Sequence, residues 1–364
     1  MFKGLVDMEK NKILQIVPFS SKGGVESIAN NLFLNMSAPF TIIYGFTQKS
    51  ECESETSQKV YFKNFLSLFM FLRKNHIKLI HSHMFSLRWM IFIRFCSIIF
   101  KAKVVTTLHS DFGIDANNPN LLKKGRRLFI IKILHSIFGG FLSDKWIAIS
   151  SSVQSLLLDV IKIKENRVVK IFNPIAATTI DINESGKREN IVFVGRDSQE
   201  KNIPDVLYVW DNIKKLYDYT SLVLIGVDSD SESLRVYNSL EKERIMALGW
   251  LGNEEKKTFL NASILQIVPS FYEGFCLAAA EALEMNIPVV SYQLPVLSEF
   301  GTLFGGVNAV PCYDRNKLLE AVKDEINKVN EGYQINTKNI VHDFFSQKKF
   351  IEQHRNLYKE TIEK

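Results

Sequence analysis

The chain has 364 residues, 46% of them hydrophobic and 23% charged, with a formal net charge of +6 at pH 7. That length allows two globular domains with cores of their own, and the composition excludes a fibrous, low-complexity or disordered polymer. Cys52, Cys96, Cys276 and Cys312 lie far apart and form no CxxC pair, so neither a disulfide framework nor a zinc site is expected and a reducing compartment suits them.

The charge is unevenly divided. Residues 1–180 carry 24 Lys and Arg against 11 Asp and Glu, a balance of +13, and the remainder carries 21 against 28, a balance of −7. Different partners for the two halves are expected. The opening MFKGLVDMEKNK lacks an apolar core followed by a small-residue cleavage site, so no signal peptide is expected. The most lipid-like run, WMIFIRFCSIIF, is twelve residues long and contains Arg94. A bilayer span needs roughly 20 apolar residues, and a cytoplasmic location is the expectation.

In chain order, ILQIVPF, TIIYGF, IKLIHSH, KVVTTLH, KWIAIS and RVVKIF are short β-rich runs ending in polar or turn residues. Helical-period segments such as VESIANNLFLNM and FLSLFMFLRKN lie between most of them. The alternation predicts βαβ units and a parallel sheet. It pauses at the polar linker NPIAATTIDINESGKREN (173–190), then resumes with NIVFVGR, SLVLIGV, RIMALGW, ILQIVPS, IPVVSY and GVNAV. Two doubly wound α/β domains are expected, over residues 1–172 and 191–345, followed by a last helix over 346–364. Ligands of such sheets bind beyond the carboxyl ends of the strands, and a cleft between the domains is the expected place.

The stretch EGFCLAAAEALEMNIPVV sets Glu273 just after the strand ILQIVPS and Glu281 eight residues further on. A helix is predicted to open near Gly274 or Phe275. Its first amides and positive end suit an anion, and Gly274 allows close backbone approach. Glu281, about two turns inside, is placed to accept hydrogen bonds from a diol. On spacing alone, a capping role for Glu273 and a surface role for Glu281 carry equal weight. FVGRDSQEKN (193–202) ends a strand with Arg196 and Lys201. A fork and a point charge suit a pyrophosphate, with a solvated turn as the alternative. PFSSKGGVES puts Gly23 and Gly24 between the first strand and its helix, and TTLHSDFG puts His109 and Asp111 after the fourth strand.

These segments, in this order, resemble family 4 glycosyltransferases, the retaining group with the GT-B fold. EGFCLAAAEALEMNIPVV is similar to the family's E-x7-E segment, with Cys276 and Asn286 where glycine is common. FVGRDSQEKN is similar to VGRxxxxKG, with Asn202 in the glycine's place. IFNPI (171–175) stands where a VxNGVD turn is frequent; Asn173 agrees and Pro174 does not. The terminal FSQKKFIEQHRNLYKETI is similar to the family's last helix, which crosses back onto the first domain.

The resemblance implies two Rossmann-like domains facing across a cleft. It implies transfer of a sugar from a UDP- or GDP-sugar to a saccharide acceptor, with retention and with no metal or other cofactor. Arg196, Lys201 and the amides of Phe275, Cys276 and Leu277 would hold the donor diphosphate, with Glu281 on the ribose and Glu273 on the sugar. Gly274 would bring backbone close to the donor, and Gly23 and Gly24 close to the donor phosphate or the acceptor, though a Gly-Gly pair is most often only a tight turn. His109 would lie by the transferred sugar; Asp111 is a looser match, with loop capping the alternative. The implied setting is bacterial O-antigen or capsule synthesis on a polyprenyl-linked acceptor.

Residues 61–134 carry 13 Lys and Arg against Asp111 and Asp115 alone, interleaved with apolar residues as in NLLKKGRRLFIIKILHSIF (120–138). A basic amphipathic face docking on the anionic inner membrane is expected, with a core helix and solvated rim as the alternative. No nucleic-acid-reading motif accompanies it. Asp228 and Asp230 form a D-x-D pattern in a polar loop, where solvation is the expectation. His81 and His83 share one strand face, with no third metal ligand evident. A nucleotide-sugar epimerase or phosphorylase on the same fold, or a non-catalytic sugar-nucleotide binder or membrane scaffold, are the rivals. The intact set Arg196, Lys201, Glu273 and Glu281 speaks against the last.

Overall fold

The computed structural model describes residues 11–19, 24–36, 38–48, 58–84, 86–110, 139–175, 188–237 and 244–364. The chain divides into two compact units, Met1–Pro174 with Lys348–Lys364, and Ile175–Gln347.

In the first unit, β1 (Asn11–Phe19), β2 (Phe40–Gln48), β3 (Lys59–Tyr61), β4 (Leu79–Ser82), β5 (Lys103–Leu108), β6 (Lys145–Ala148) and β7 (Val168–Lys170) form one sheet. Its order is β3-β2-β1-β4-β5-β6-β7, and every pairing is parallel. The helices α1 (Gly24–Asn35), α2 (Phe65–Lys74), α3 (Leu87–Phe100) and α4 (Ser151–Ser155) connect its strands. Strands of a parallel sheet are covered on both faces, and β4 is buried at every position, His81 and Ser82 included. Asn64 starts α2 with a capping box: its Oδ1 accepts from the Ser67 amide at 2.9 Å, and Ser67 Oγ accepts from the Asn64 amide at 3.2 Å.

In the second unit, β8 (Asn190–Val194), β9 (Ser221–Ile225), β10 (Ile245–Ala247), β11 (Ser263–Val268), β12 (Val289–Tyr292) and β13 (Val307–Val310) form a parallel sheet ordered β10-β9-β8-β11-β12-β13. Around it lie α5 (Ile203–Ile213), α6 (Glu232–Val236), α7 (Asn253–Asn261), α8 (Leu277–Glu284), α9 (Pro295–Phe304), α10 (Arg315–Asn330) and α11 (Lys338–Phe344). Helix α5 shows why these segments stay put. Pro204 is preorganised for a first turn, and Ile203, Val206, Leu207, Val209, Trp210 and Ile213 make a buried stripe at helical spacing. The stripe joins a core with Leu224, Ile267 and Tyr292.

The last helix, α12 (Gln347–Glu363), belongs to the first unit. Phe350, Ile351, His354, Leu357, Tyr358 and Thr361 form its buried face, and the Tyr358 ring meets Phe40 edge-on at 5.9 Å.

In each sheet the order reverses beside one strand: β1 lies between β2 and β4, and β8 lies between β9 and β11. Adjacent connections leave in opposite directions there and open a crevice at the strand ends. The expected fold class, two Rossmann-like α/β domains, is what the chain adopts. Local departures are small. The short strand β3 had no sequence expectation. Strand β8 begins at Asn190, inside the expected linker, most of which lies outside the described residues, as do Gly23, Asp111 and the segment 120–138. The predicted start of the helix after β11 is corrected: α8 opens at Leu277, so Glu281 is its fifth residue, little more than one turn inside. The shift arises because Cys276, preceding the helix, takes a left-handed conformation at φ 60°.

Candidate active site

Three strand ends of the second unit are stripped to backbone. Gly195 follows β8, Gly226 follows β9 and Gly249 lies just past β10. The Gly226 amide donates to Gly249 O at 2.6 Å, and the Gly195 amide donates to Ile225 O at 2.9 Å. Gly226 has φ +86°, and a Cβ there would sit 2.8 Å from Gly195 O. Only glycine fits this position.

The loop after β8 is then stitched to the loop after β11. Asn202 turns left-handed at φ 54°, a conformation asparagine tolerates better than most residues. Its Nδ2 donates to Asp205 Oδ2 at 2.6 Å and to Pro269 O at 3.2 Å, while the Phe271 amide donates to Glu200 O at 2.8 Å. Asp197 accepts from the Ser233 amide at 2.9 Å and from its hydroxyl at 2.6 Å.

This stitching brings Lys201 onto Glu273. Lys201 Nζ donates to Glu273 Oε1 at 2.6 Å, and Ser270 Oγ donates to the same oxygen at 2.7 Å. Glu273 is 9% exposed. Burial works against the Lys201 charge, but the neighbouring Glu273, with Glu200, outweighs it and holds the ammonium above the usual lysine range. The Cys276 thiol is buried beside the Glu273 carboxylate, and both push its ionisation upward. It therefore remains a thiol, excluded as a nucleophile at neutral pH.

Phe275 pins the turn into α8, meeting Phe300 at 5.5 Å and Phe345 at 5.1 Å, both edge-on. In α8 the amides of Ala279 and Ala280 both reach back to Cys276 O, so those of Leu277 and Ala278 stand ahead of the first intrahelical acceptor. Further along the helix, Lys256 Nζ of α7 binds both oxygens of Glu281, at 2.7 and 2.8 Å. The two acids of the E-x7-E stretch are thus each matched by a lysine.

Lys256 carried no sequence signal. It lies 25 residues before Glu281 in a segment without a motif, and only the packing of α7 beside α8 makes the pair. Arg196, also expected at the diphosphate, has a side chain 76% exposed and a loose contact with Glu200 at 3.5 Å. It does not join the Lys201–Glu273 cluster. Gly274 lies in the turn between Glu273 and Cys276. In the first unit, Gly24 opens α1 and Glu26 is buried in its first turn. His109 follows β5, and its Nε2 lies 2.8 Å from His83 Nδ1. Asp230 is exposed and pairs with Arg235 at 3.3 Å. Among the described residues, no group of three or more His, Cys, Asp or Glu is arranged to hold a metal.

Two family models match consecutive stretches of the chain. The model described as Glycosyltransferase Family 4 matches residues 50–178, and the model described as Glycosyl transferases group 1 matches 177–332. The chain belongs to the family 4-type glycosyltransferases. A relative from Klebsiella pneumoniae, an uncharacterized 41.2 kDa protein in a cps region, is 25% identical over 324 residues, covering 82% of this chain and 86% of the relative. Anabaena HepE, solved with UDP and glucose, superposes with a TM-score of 0.74 at 15% identity over 96% of this chain and 99% of its own. Sucrose-phosphate synthase from Thermosynechococcus elongatus superposes with a TM-score of 0.73 at 18% identity, over 96% and 98%. These likenesses place the glycosyltransferase in the GT-B fold.

The enzyme departs from the family pattern at Asn202, Cys276 and Asn286, where glycine is usual, and the backbone keeps the conformation glycine favours. Their φ angles are 54°, 60° and 56°. Asn286 offsets its strain with contacts that glycine lacks, since its Oδ1 accepts from the amides of Thr337 and Lys338, each at 2.8 Å.

Proposed function

We propose that this glycosyltransferase moves a hexose-type sugar from a UDP- or GDP-sugar to a saccharide acceptor carried on polyprenyl diphosphate, with retention and without a metal. The Lys201–Glu273 pair, held at 2.6 Å between the ends of β8 and β11, carries the reading. Lys201 and Ser270 both bind Glu273 Oε1 and hold the carboxylate in place, and a carboxylate so held accepts from a sugar hydroxyl through a remaining lone pair. Lys201, Arg196 and the first amides of α8 meet the charge that develops on the leaving diphosphate. Glu281, fixed by Lys256, takes the ribose hydroxyls. In the reaction the bond from the anomeric carbon to the diphosphate oxygen breaks. The acceptor oxygen bonds that carbon from the same face, and its proton passes to the leaving phosphate.

A thermal-shift series with UDP, GDP and ADP tests the donor site. A ligand at a hundred times its dissociation constant stabilises by about 2.7 kcal/mol, which for a unit of this size raises the melting point by roughly 5–10 °C. One nucleotide is expected to stand out, and its effect to shrink in Lys201→Ala. Indifference to all three would refute the donor reading.

The reading extends to the anionic inner-membrane surface and a surface-polysaccharide pathway; the cps-region relative agrees with the latter. No described helix is long and apolar enough to cross a membrane. Support for surface docking comes from α2 and α3, which present Leu66, Met70, Ile91, Phe95, Ile98 and Ile99 to solvent, with Leu66 67%, Ile98 57% and Phe95 54% exposed. Residues 58–110 contain nine Lys and Arg and no Asp or Glu. An apolar face on a segment rich in cations matches an anionic lipid interface. Phosphatidylglycerol vesicles are expected to sediment the protein at low salt, and Phe95→Ser with Ile98→Ser to weaken the association severalfold. Protein that stays in the supernatant over anionic vesicles would end the membrane reading.

A further inference from the structure

Four imidazoles gather in the first unit, away from the Lys201–Glu273 pair. His81 lies in β4, His83 just beyond it, His109 just beyond β5, and His354 in α12. Ring centroids are 4.2 Å apart for His81 and His83, 5.1 Å for His83 and His109, and 5.8 Å for His81 and His354. Burial, reinforced for the first three by neighbouring imidazoles, lowers the affinity of each for a proton, to about 3 for His109 and about 4 for His354. All four are neutral near pH 7, so each ring has one N–H and one lone pair.

For His83 both nitrogens are engaged. Its Nε2 lies 2.9 Å from the amide nitrogen of Gln15, a fully buried β1 residue, and its Nδ1 lies 2.8 Å from His109 Nε2. An amide nitrogen only donates. With the Gln15 amide turned this way, His83 Nε2 accepts, its proton sits on Nδ1, and that N–H donates to His109 Nε2. The His109 proton is left on Nδ1. We propose that Gln15, acting through His83, holds His109 as the Nδ1–H tautomer and so presents it to substrate as a hydrogen-bond donor.

The neighbouring histidine shows that this polarity is specific. His81 bonds the Tyr358 hydroxyl through Nδ1 at 2.6 Å and the Thr107 hydroxyl through Nε2 at 2.7 Å. Hydroxyls serve either role, so nothing orients His81 as the amide orients His83. Gln15 and His83 are positioning residues, and they meet because β1 and β4 are adjacent at the point where the strand order reverses. Substrate contact rests on the reading above that His109 lies by the transferred sugar. A donor at that point would bind a sugar hydroxyl without competing for its proton.

The test is a long-range proton–nitrogen correlation spectrum of the full chain labelled with ¹⁵N-histidine. It is expected to show His109 protonated at Nδ1 and His83 at Nδ1. In Gln15→Met, which keeps the volume and removes the donor, His109 is expected to show mixed tautomers and kcat/KM to fall roughly fivefold. A wild-type spectrum with His109 protonated at Nε2 overturns the proposal, and needs no variant to fold. So does Gln15→Met with both tautomer and activity unchanged. His109→Ala separates the premise: full activity would remove His109 from the sugar and the donor role with it, while the spectrum still decides whether the relay exists.

Discussion

Lys201→Ala is expected to lower the rate of sugar transfer by about 10²–10³-fold, the usual effect of removing one preorganised group that meets charge developing in a transition state. Lys201 has a second task in the folded protein. With Ser270 it satisfies a Glu273 carboxylate that is 9% exposed. Deleting the cation leaves that buried carboxylate without its charged partner, a loss of about 1–3 kcal/mol. Urea denaturation reads this second effect as a lower midpoint at unchanged slope. The two effects separate in the double variant. Lys201→Ala with Glu273→Ala removes the orphaned charge, so stability should recover part of the way, because residues in direct contact do not act additively. Activity should not recover. Turnover near wild type in Lys201→Ala would remove Lys201 from the chemistry.

Gly226→Ala is expected to destabilise the second unit by about 2–4 kcal/mol, through strained backbone and a steric clash together. At φ +86° any L side chain is strained, and the new Cβ would lie 2.8 Å from Gly195 O and 3.1 Å from Gly195 C. Both neighbours are backbone, so neither gives way by changing rotamer. Relief requires β8 and β9 to part at their carboxyl ends, which moves Arg196 and the turn carrying Lys201. Weaker nucleotide binding should accompany the lower melting point. Gly305→Ala is the control. It shares a positive φ, +76°, with ψ −168°, but a Cβ there meets nothing within 4 Å, so only backbone strain is added, about 1–3 kcal/mol. Equal melting points for the two variants would show that the Gly195 contact is not what confines Gly226.

The Lys201 prediction concerns two segments that can be read without a structure, and for a common reason. FVGRDSQEKN runs from a strand end into a turn and EGFCLAAAEALEMN from a turn into a helix, so their side chains are placed by local backbone geometry. Arg196 and Glu273 are legible as strand-end residues, and Glu281 as a helix residue. The start of α8 was less legible. A glycine followed by Phe-Cys invites a helix start at the glycine. The chain instead turns left-handed at Cys276, because Phe275 is fixed between Phe300 and Phe345, and neither aromatic residue is near it in sequence.

The partners of these residues were not legible. Lys256 reaches Glu281 from a helix 25 residues earlier, and Gln15 reaches His83 across 68 residues. His81 and His83 stood out as a pair on one strand face, but His109 and His354 joined them from another strand and from the last helix.

Amino-acid order alone determined the alternation of strand and helix, the parallel character of the sheets and the chemistry available at the ends of β8 and β11, since each follows from hydrophobic period and local turn geometry. Tertiary structure decided which cation meets which carboxylate and which ring fixes which tautomer. Those pairings follow strand order and helix packing, which arise from burying whole faces together, and no short window of residues contains them.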